Sequence, residues 1–422
     1  MPTKIQHDEF QSMEDVANYL VSHPQFKSKV AQKPGGKAIF VMFNEETERL
    51  CADLGLDVAL APAEMREKLD SKIVTTELGN EAGVASVPNV MGFADSFDEL
   101  MAVAESKGLG TDLVVQTPYG DSGRTTFFIK SKRDWEKYSA KIVDQQLKIM
   151  KRIDHIPGAI EGCATRHGTL VGPVMTDITG FAEVTPFKGG WCGNDASPTL
   201  LPPDVPEKVR EMARNFGDRL YKEGYKGVFC LDFLLDTKTN EVYLGELNPR
   251  VSGVTPPTNL ITSTYGGCPL FLFHLLEHLN VPYEIDVADV QSRWNDYDHW
   301  TQLVLKQTED KVELITRAPQ SGIWRLDDQG KVEFVRDGLN VPSLGDENEA
   351  FYLRVYSVGD YCYHGADLGC LLARGRMQTD KRNLTKRAKL WNSGMKAQFE
   401  SIPLPPAEPI EIPDDMSDGK WF

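Results

Sequence analysis

No window of this 422-residue chain is apolar for long enough to cross a membrane, and residues 1–9 lack the apolar centre of a signal peptide. Cysteine is sparse: seven residues, an odd number, are scattered without one Cys-x-x-Cys pair. That usage argues against a disulfide framework, for reduced thiols such as Cys163 and Cys230 packed as small core residues, and for a cytoplasmic location. Basic residues are also short. Lys and Arg number 46 against 62 Asp and Glu, and a formal charge of −16 counts against general binding to nucleic acid or to an anionic membrane. No internal repeat is visible. What is present is an ordinary globular composition, 41% hydrophobic and 26% charged. The length exceeds one compact core, so roughly two to four packed subdomains are expected.

The most informative stretch runs from Val228 to Arg250. It reads Val-Phe-Cys-Leu-Asp-Phe-Leu-Leu, a polar turn through Asp236 to Asn240, then Glu-Val-Tyr-Leu-Gly-Glu-Leu-Asn-Pro-Arg. Both halves have the texture of adjacent strands in a hairpin. Asp232 interrupts the first apolar run, and a carboxylate buried there without a partner is costly. Glu246 and Asn248 stand two apart and so share a face of the second strand. Antiparallel pairing can bring Asp232 onto the same face. Three hard oxygen donors, with Arg250 two residues on, suit Mg²⁺ held against phosphate oxygens. A surface hairpin carrying solvated acids is the competing reading, and it leaves Asp232 unexplained.

Strands and helices alternate along the chain, as in α/β architecture. Ser12 to Asp15 carries a capping box that starts a helix ending before Pro24. Residues 38–43 read as a buried strand, 70–79 as a helix start, and 84–90 as extended chain. Residues 113–116 and 125–130 read as strands flanking a glycine loop, and 134–146 as a helix. A hairpin over 159–174 turns at Arg166-His-Gly168, and 206–223 is helical. From residue 300 to about 373 the texture is β, residues 381–400 read as a basic helix, and the last twenty as a Pro-rich acidic tail.

Asp232 followed by Glu246-Leu-Asn248-Pro-Arg250 resembles the metal-binding strands of ATP-grasp enzymes, a family that includes biotin carboxylase and the L-amino-acid ligases. The resemblance extends from about Met65 to about Lys396. It implies an α/β fold built of α+β subdomains: an N-terminal α/β unit over residues 1–95, ATP-grasp lobes over 96–155 and 156–299, and a C-terminal β-rich, biotin-carboxylase-like domain over 300–400 before a tail at 401–422. It implies ATP and two Mg²⁺ ions, replaceable by Mn²⁺, on Asp232, Glu246 and Asn248. Further along the family's path, Tyr119, Gly120, Ser122 and Gly123 match the flexible phosphate-covering loop, with Arg124 closing over the γ-phosphate. Lys72 matches an upstream phosphate-binding lysine. Gln116 stands at the strand end where a second lysine is usual, and lacks its charge. Lys151 and Ile153 match the hinge that reads adenine, and Glu161 an acidic position on the next strand. Without the resemblance, each of these reads equally as a hairpin turn, a solvated helix or a basic loop. Gly-Lys-Ser/Thr is missing, so the loop is not a P-loop.

The implied activity is that of a carboxylate–amine ligase: ATP activates a carboxylate as an acyl phosphate, Arg250 holds it, and an amine displaces phosphate. Lys188 and Trp191, in the loop Pro186 to Asp195, are candidate substrate contacts. Small-molecule substrates and a homodimer are the implied partners. Biotin chemistry fits less well. The chain shows no biotin-carrier segment, Val254 occupies the position of that enzyme's catalytic glutamate, and its substrate arginine has only Lys306 nearby. A biotin-carboxylase-like activity and a non-catalytic ATP-binding role remain the alternatives. His274-Leu-Leu-Glu-His278 matches a zinc-protease pattern, but it sits in an apolar packing helix with no third ligand signposted. Tyr361, His364 and Asp367 read as fold or pocket residues.

Overall fold

The structure is a computed structural model that describes residues 10–120, 125–197, 199–295, 297–338 and 341–403. The first helix, Met13–Ser22, starts as the sequence predicts: Ser12 accepts from Asp15 N while the Asp15 side chain accepts from the Ser12 backbone. The strand expected over residues 38–43 is shorter and earlier. Only Gly36–Ala38 pairs, in parallel with Leu56–Val58. The partner is three residues long, so the ladder runs out at Ala38, and Ile39 and Val41 are exposed. Helices Glu45–Asp53, Ala63–Asp70 and Lys72–Glu81 complete this unit.

A four-stranded antiparallel sheet follows, in the order Asn89–Gly92, Leu147–Lys151, Leu113–Gln116, Thr126–Ile129. Alternation divides its two faces. Leu113, Val115, Phe127, Ile129, Leu147 and Ile149 bury against helices Phe97–Glu105 and Lys132–Tyr138. Val114, Gln116, Thr126, Phe128, Lys148 and Met150 occupy the other face. The sheet takes its first strand from before residue 96, where this lobe was expected to begin. The helix expected to reach residue 146 ends at Tyr138, with a single 3₁₀ turn over Ser139–Lys141. The chain then turns back at Asp144, in the left-handed region with φ 62°.

The second lobe and the β-rich region share one eleven-stranded sheet. The hairpin Gly227–Asp236 and Val242–Asn248 forms one end, and His155–Thr165 pairs beside it. Trp191–Ala196 pairs with Trp300–Lys306, so the ladder continues across the expected boundary at 299/300. Helix Val205–Lys222 buries Val209, Ala213, Phe216 and Leu220 on one stripe against Phe229, Leu231 and Phe233. The basic helix is confined to Lys386–Lys396, capped by Thr385. Residues 401–403, expected in the tail, belong to strand Glu400–Pro403 paired with Glu313–Arg317; the rest of the tail lies outside the described residues. No helix among those described is long and apolar enough to cross a membrane.

One contact between these units positions the site. Leu244 N donates to Ala85 O at 2.8 Å. Gly79 lets the Leu244 side chain in, since a Cβ there would lie 2.8 Å from it. The Lys72–Glu81 helix therefore rests on the outer strand of the hairpin, with its first residue beside Glu246.

Candidate active site

The hairpin closes through Asp236, whose Oδ1 accepts from Lys238 N at 2.7 Å and Thr239 N at 3.2 Å, and through Asn240 at φ 60°. This turn sets the register: Asp232 faces Glu246 and Cys230 faces Asn248, with an irregularity after Asp232. The three predicted metal-binding side chains thus come together on one face, as the two-residue spacing requires. Asp232 is partly buried, and among the described residues its Oδ1 accepts from Cys230 Sγ at 3.8 Å. Burial, and then the neighbouring Asp177 and Glu246, push its carboxyl well above the usual range, while Arg250 opposes the shift. Glu246 is less enclosed and pairs with Lys72 Nζ at 3.0 Å. Arg250 donates to Val251 O at 3.3 Å, and its Nε is buried without a partner.

A further carboxylate, not singled out from sequence, joins this group. Asp177 on strand Met175–Thr179 accepts from Asn194 Nδ2 at 2.7 Å, and Asn194 in turn accepts from Trp191 Nε1 at 3.1 Å. Burial raises the Asp177 carboxyl to about 7. An acid within Met-Thr-Asp-Ile-Thr carries a weaker form of the Asp232 signal, a charge inside a strand. Two cavities meet at these residues. One, of about 320 Å³, is lined by Asp177, Trp191, Asp232, Glu246, Asn248 and Arg250. The other, of about 190 Å³, is lined by Gln116, Met150, Pro157, Asp177, Asp232 and Glu246. Three carboxylates form the wall between them.

No protein-family model matches the chain. It is 23% identical over 253 residues to the mitochondrial methylcrotonoyl-CoA carboxylase subunit alpha of Arabidopsis thaliana, covering 55% of this chain and 32% of the relative. The chain thus spans about a third of that relative's length. Among solved structures, a biotin carboxylase–β-γ-ATP complex from Campylobacter jejuni superposes with a TM-score of 0.61 at 14% identity, over 89% of this chain and 77% of that one. A carboxyaminoimidazole ribonucleotide synthase from Aspergillus clavatus complexed with ATP gives a TM-score of 0.53 at 15% identity, over 84% and 81%. The fold is that of the ATP-grasp enzymes.

Placed in the ATP-grasp fold, the 190 Å³ cavity lies between the four-stranded lobe, which contributes Gln116 and Met150, and the hairpin of the second lobe. Lys72 is buried, with 3% of its surface exposed, and is not a solvated helix residue. Its Nζ donates to Gly120 O at 2.6 Å as well as to Glu246, and its backbone N donates to Pro118 O at 2.8 Å. It therefore fastens the start of the glycine loop. Tyr119 is exposed there, and Gly120 has φ 132° with Thr125 where a Cβ would stand. Ser122, Gly123 and Arg124 lie outside the described residues. Gln116 lines the cavity, but its Nε2 is engaged by Thr126 Oγ1 at 3.0 Å.

Other expected contacts are not gathered at the cavities. Glu161 shares the sheet face of Asp232, being paired with Cys230, yet helix Thr255–Ile261 covers it. Thr255 Oγ1 donates to one of its oxygens and Asn259 Nδ2 to the other at 2.9 Å. Burial raises this carboxyl to about 7. Lys151 N is taken by Pro88 O at 3.0 Å, and Ile153 lines neither cavity; Met150 and Pro157, on either side of this hinge, do. Lys188 is exposed and also lies off both cavities, whereas Trp191 lines the larger and packs on Gly253. His274 bonds Val228 N and Ala59 O, and His278 bonds Lys226 O. Burial pushes both imidazoles down to about 4, and Glu277 pairs with Arg166, so this helix is packing.

The donor set suits a hard divalent cation. Among the described residues no three carboxylate, histidine or cysteine side chains are already drawn together as a metal cage. Asp232, Glu246 and Asn248 nonetheless present oxygen donors to one cavity, and among the described residues the partly buried Asp232 has no cationic partner at bonding distance.

Proposed function

We propose that this chain is an ATP-dependent carboxylate–amine ligase, forming an amide or peptide bond and releasing ADP and phosphate. The observation that carries the reading is the hairpin: Asp232, Glu246, Asn248 and Arg250 face a cavity that adjoins the cleft between the ATP-grasp lobes. ATP would enter the cleft with its ring against Met150 and its phosphates toward Lys72 and Glu246. Asp232, Glu246 and Asn248 would hold Mg²⁺, two ions by family resemblance, which would offset charge on the transferring phosphoryl group.

The substrate carboxylate oxygen attacks the γ-phosphorus, the bond from that phosphorus to the β–γ bridging oxygen breaks, and ADP leaves. Arg250 holds the resulting acyl phosphate by charge-assisted hydrogen bonds. The amine nitrogen then attacks the acyl carbon, and the carbon–oxygen bond to phosphate breaks. Asp177, on the wall between the cavities, would attract the incoming ammonium and take up a proton. No nucleophilic side chain is needed, because phosphate is the leaving group and the walls supply alignment.

The test is ADP release by Mg²⁺–ATP with pooled amino acids, small carboxylates and bicarbonate, comparing the native chain with Glu246→Gln. Release that depends on a carboxylate and an amine, and that the substitution abolishes, supports the ligase. Release driven by bicarbonate would move the chain to a biotin-carboxylase-like carboxylating activity. ATP binding without release under any of these would leave a non-catalytic nucleotide-binding protein.

A further inference from the structure

The charge missing at Gln116 is present one strand away. Gln116 pairs directly with Lys148 across the antiparallel ladder, so both side chains project from the same face of the four-stranded sheet. That face also carries Met150 and contributes to the 190 Å³ cavity. Lys148 stands in the apolar run Leu147-Lys-Ile-Met and is 1% exposed. Among the described residues no hydrogen bond or ion pair takes up its Nζ. The nearest charges acting on it are Glu246, which favours the ammonium, and Lys72, which opposes it. An ammonium enclosed this way, without a direct anionic partner, is costly unless an anion arrives.

Resting on the ATP-grasp ligase reading above, we infer that Lys148 takes the phosphate-binding role that a lysine at position 116 would fill, holding an α- or β-phosphate oxygen of the nucleoside triphosphate. Three features support it. Gln116 is committed to Thr126 and carries no charge. Lys72 is committed to Gly120 O and Glu246 in the free protein. Lys148 is the lysine on this sheet face that is left without a partner, and its position is cross-strand to the vacated one. Burial pushes its ammonium down to about 8, which is compatible with a charged group at neutral pH. Lys148 itself lines neither cavity, but it stands directly opposite Gln116, which lines the smaller one, and opposed Cα atoms are only about 5 Å apart.

The experiment is calorimetric titration of the full chain with Mg²⁺–ATP and, separately, with adenosine. Native protein is compared with Lys148→Met, Lys148→Gln and the double variant Lys148→Met/Gln116→Lys. Loss of one charge-assisted contact predicts ATP binding weakened about 10- to 100-fold in both single variants. Adenosine binding stays unchanged, and the double variant regains most of the ATP affinity. ATP affinity within about twofold of native in the single variants overturns the inference. So does parallel loss of ATP and adenosine binding, since Lys148 would then shape the cleft and not hold phosphate. A native chain that binds adenosine or ATP in neither case overturns the ligase reading itself, and this inference with it.

Discussion

Lys72 and Glu246, 174 positions apart, meet in a 3.0 Å ion pair that joins the N-terminal unit to the hairpin of the second lobe. The pair is unequal: Lys72 is 3% exposed and Glu246 33% exposed at the side chain. Removing the acid strands a buried ammonium, whereas removing the base leaves a carboxylate that water reaches. Glu246→Ala is therefore expected to cost about 3 kcal/mol of unfolding free energy, and Lys72→Met about 1 kcal/mol or less. Urea unfolding of the nucleotide-free protein checks the order. Equal costs would mean that the pair does not carry the contact.

Glu161 makes a pH prediction. Its carboxyl is raised from 4.5 to about 7 by burial, against the lowering effect of Thr255 and Asn259. Between those values the folded protein binds more protons than the unfolded chain, so stability is fully present below about 4.5 and is lost as pH rises toward 7. The loss from this group is on the order of 3 kcal/mol, and Asp177 adds to it in the same direction. Glu349, lowered to about 2 by Gly345 N, Arg336 and Arg325 against burial, acts only at more acid pH and in the opposite sense. His274 and His278, held down to about 4 by burial, act in the opposite sense over the same range, so Glu161→Gln should make the change in unfolding free energy from about pH 4.5 to 7 more positive by on the order of 3 kcal/mol, measured by chemical denaturation with a chelator present. An unchanged slope would remove Glu161 as its source.

The hairpin was legible because a period of two places Glu246 and Asn248 on one face, and because a carboxylate inside Cys-Leu-Asp-Phe-Leu-Leu needs a reason. Asp177 carries a weaker form of that signal: its strand alternates with threonine, so a polar residue there looks ordinary. Lys148 was hidden for a different reason. The role depends on its register with Gln116, and the loop, strand and helix between them do not set that register in any local way. The helix that covers Glu161, Thr255–Ile261, could not be read from the strand pattern, which places Glu161 on a sheet face and does not say what packs over it. The strand expected at residues 38–43 failed because an apolar run also needs a partner of equal length, and Leu56–Val58 supplies only three residues.

The larger cavity predicts a substitution that separates substrate from nucleotide. A Cβ on Gly253 would stand 2.6 Å from the Trp191 ring, which lines the 320 Å³ cavity. Gly253→Ala must displace that indole or the backbone beneath it. The expected outcome is a KM for the carboxylate or amine raised about tenfold, since sub-ångström to ångström displacements cost rates of this order. ATP affinity, measured by direct titration, should be unchanged because Gly253 is absent from the lining of the smaller cavity. A matching loss of ATP affinity would show that the cavities are not separable.

Asp232 yields the sharpest trade between stability and function. In the metal-free protein it is a partly buried carboxyl beside Asp177 and Glu246, with its proton held more tightly than in water. Its replacement by asparagine keeps the shape and removes the cost of holding that carboxyl against desolvation and the neighbouring acids. Asp232→Asn should therefore raise the stability of the free protein by about 1–2 kcal/mol. It should also strongly reduce the stabilisation expected from Mg²⁺ with ADP, because one of the two carboxylates that would neutralise the cation is lost. Thermal unfolding with a chelator, and again with Mg²⁺ and ADP, reads both effects. A variant less stable than native with chelator present would mean that the Asp232 charge is already satisfied within the fold, and that binding a cation is not what it is there to do.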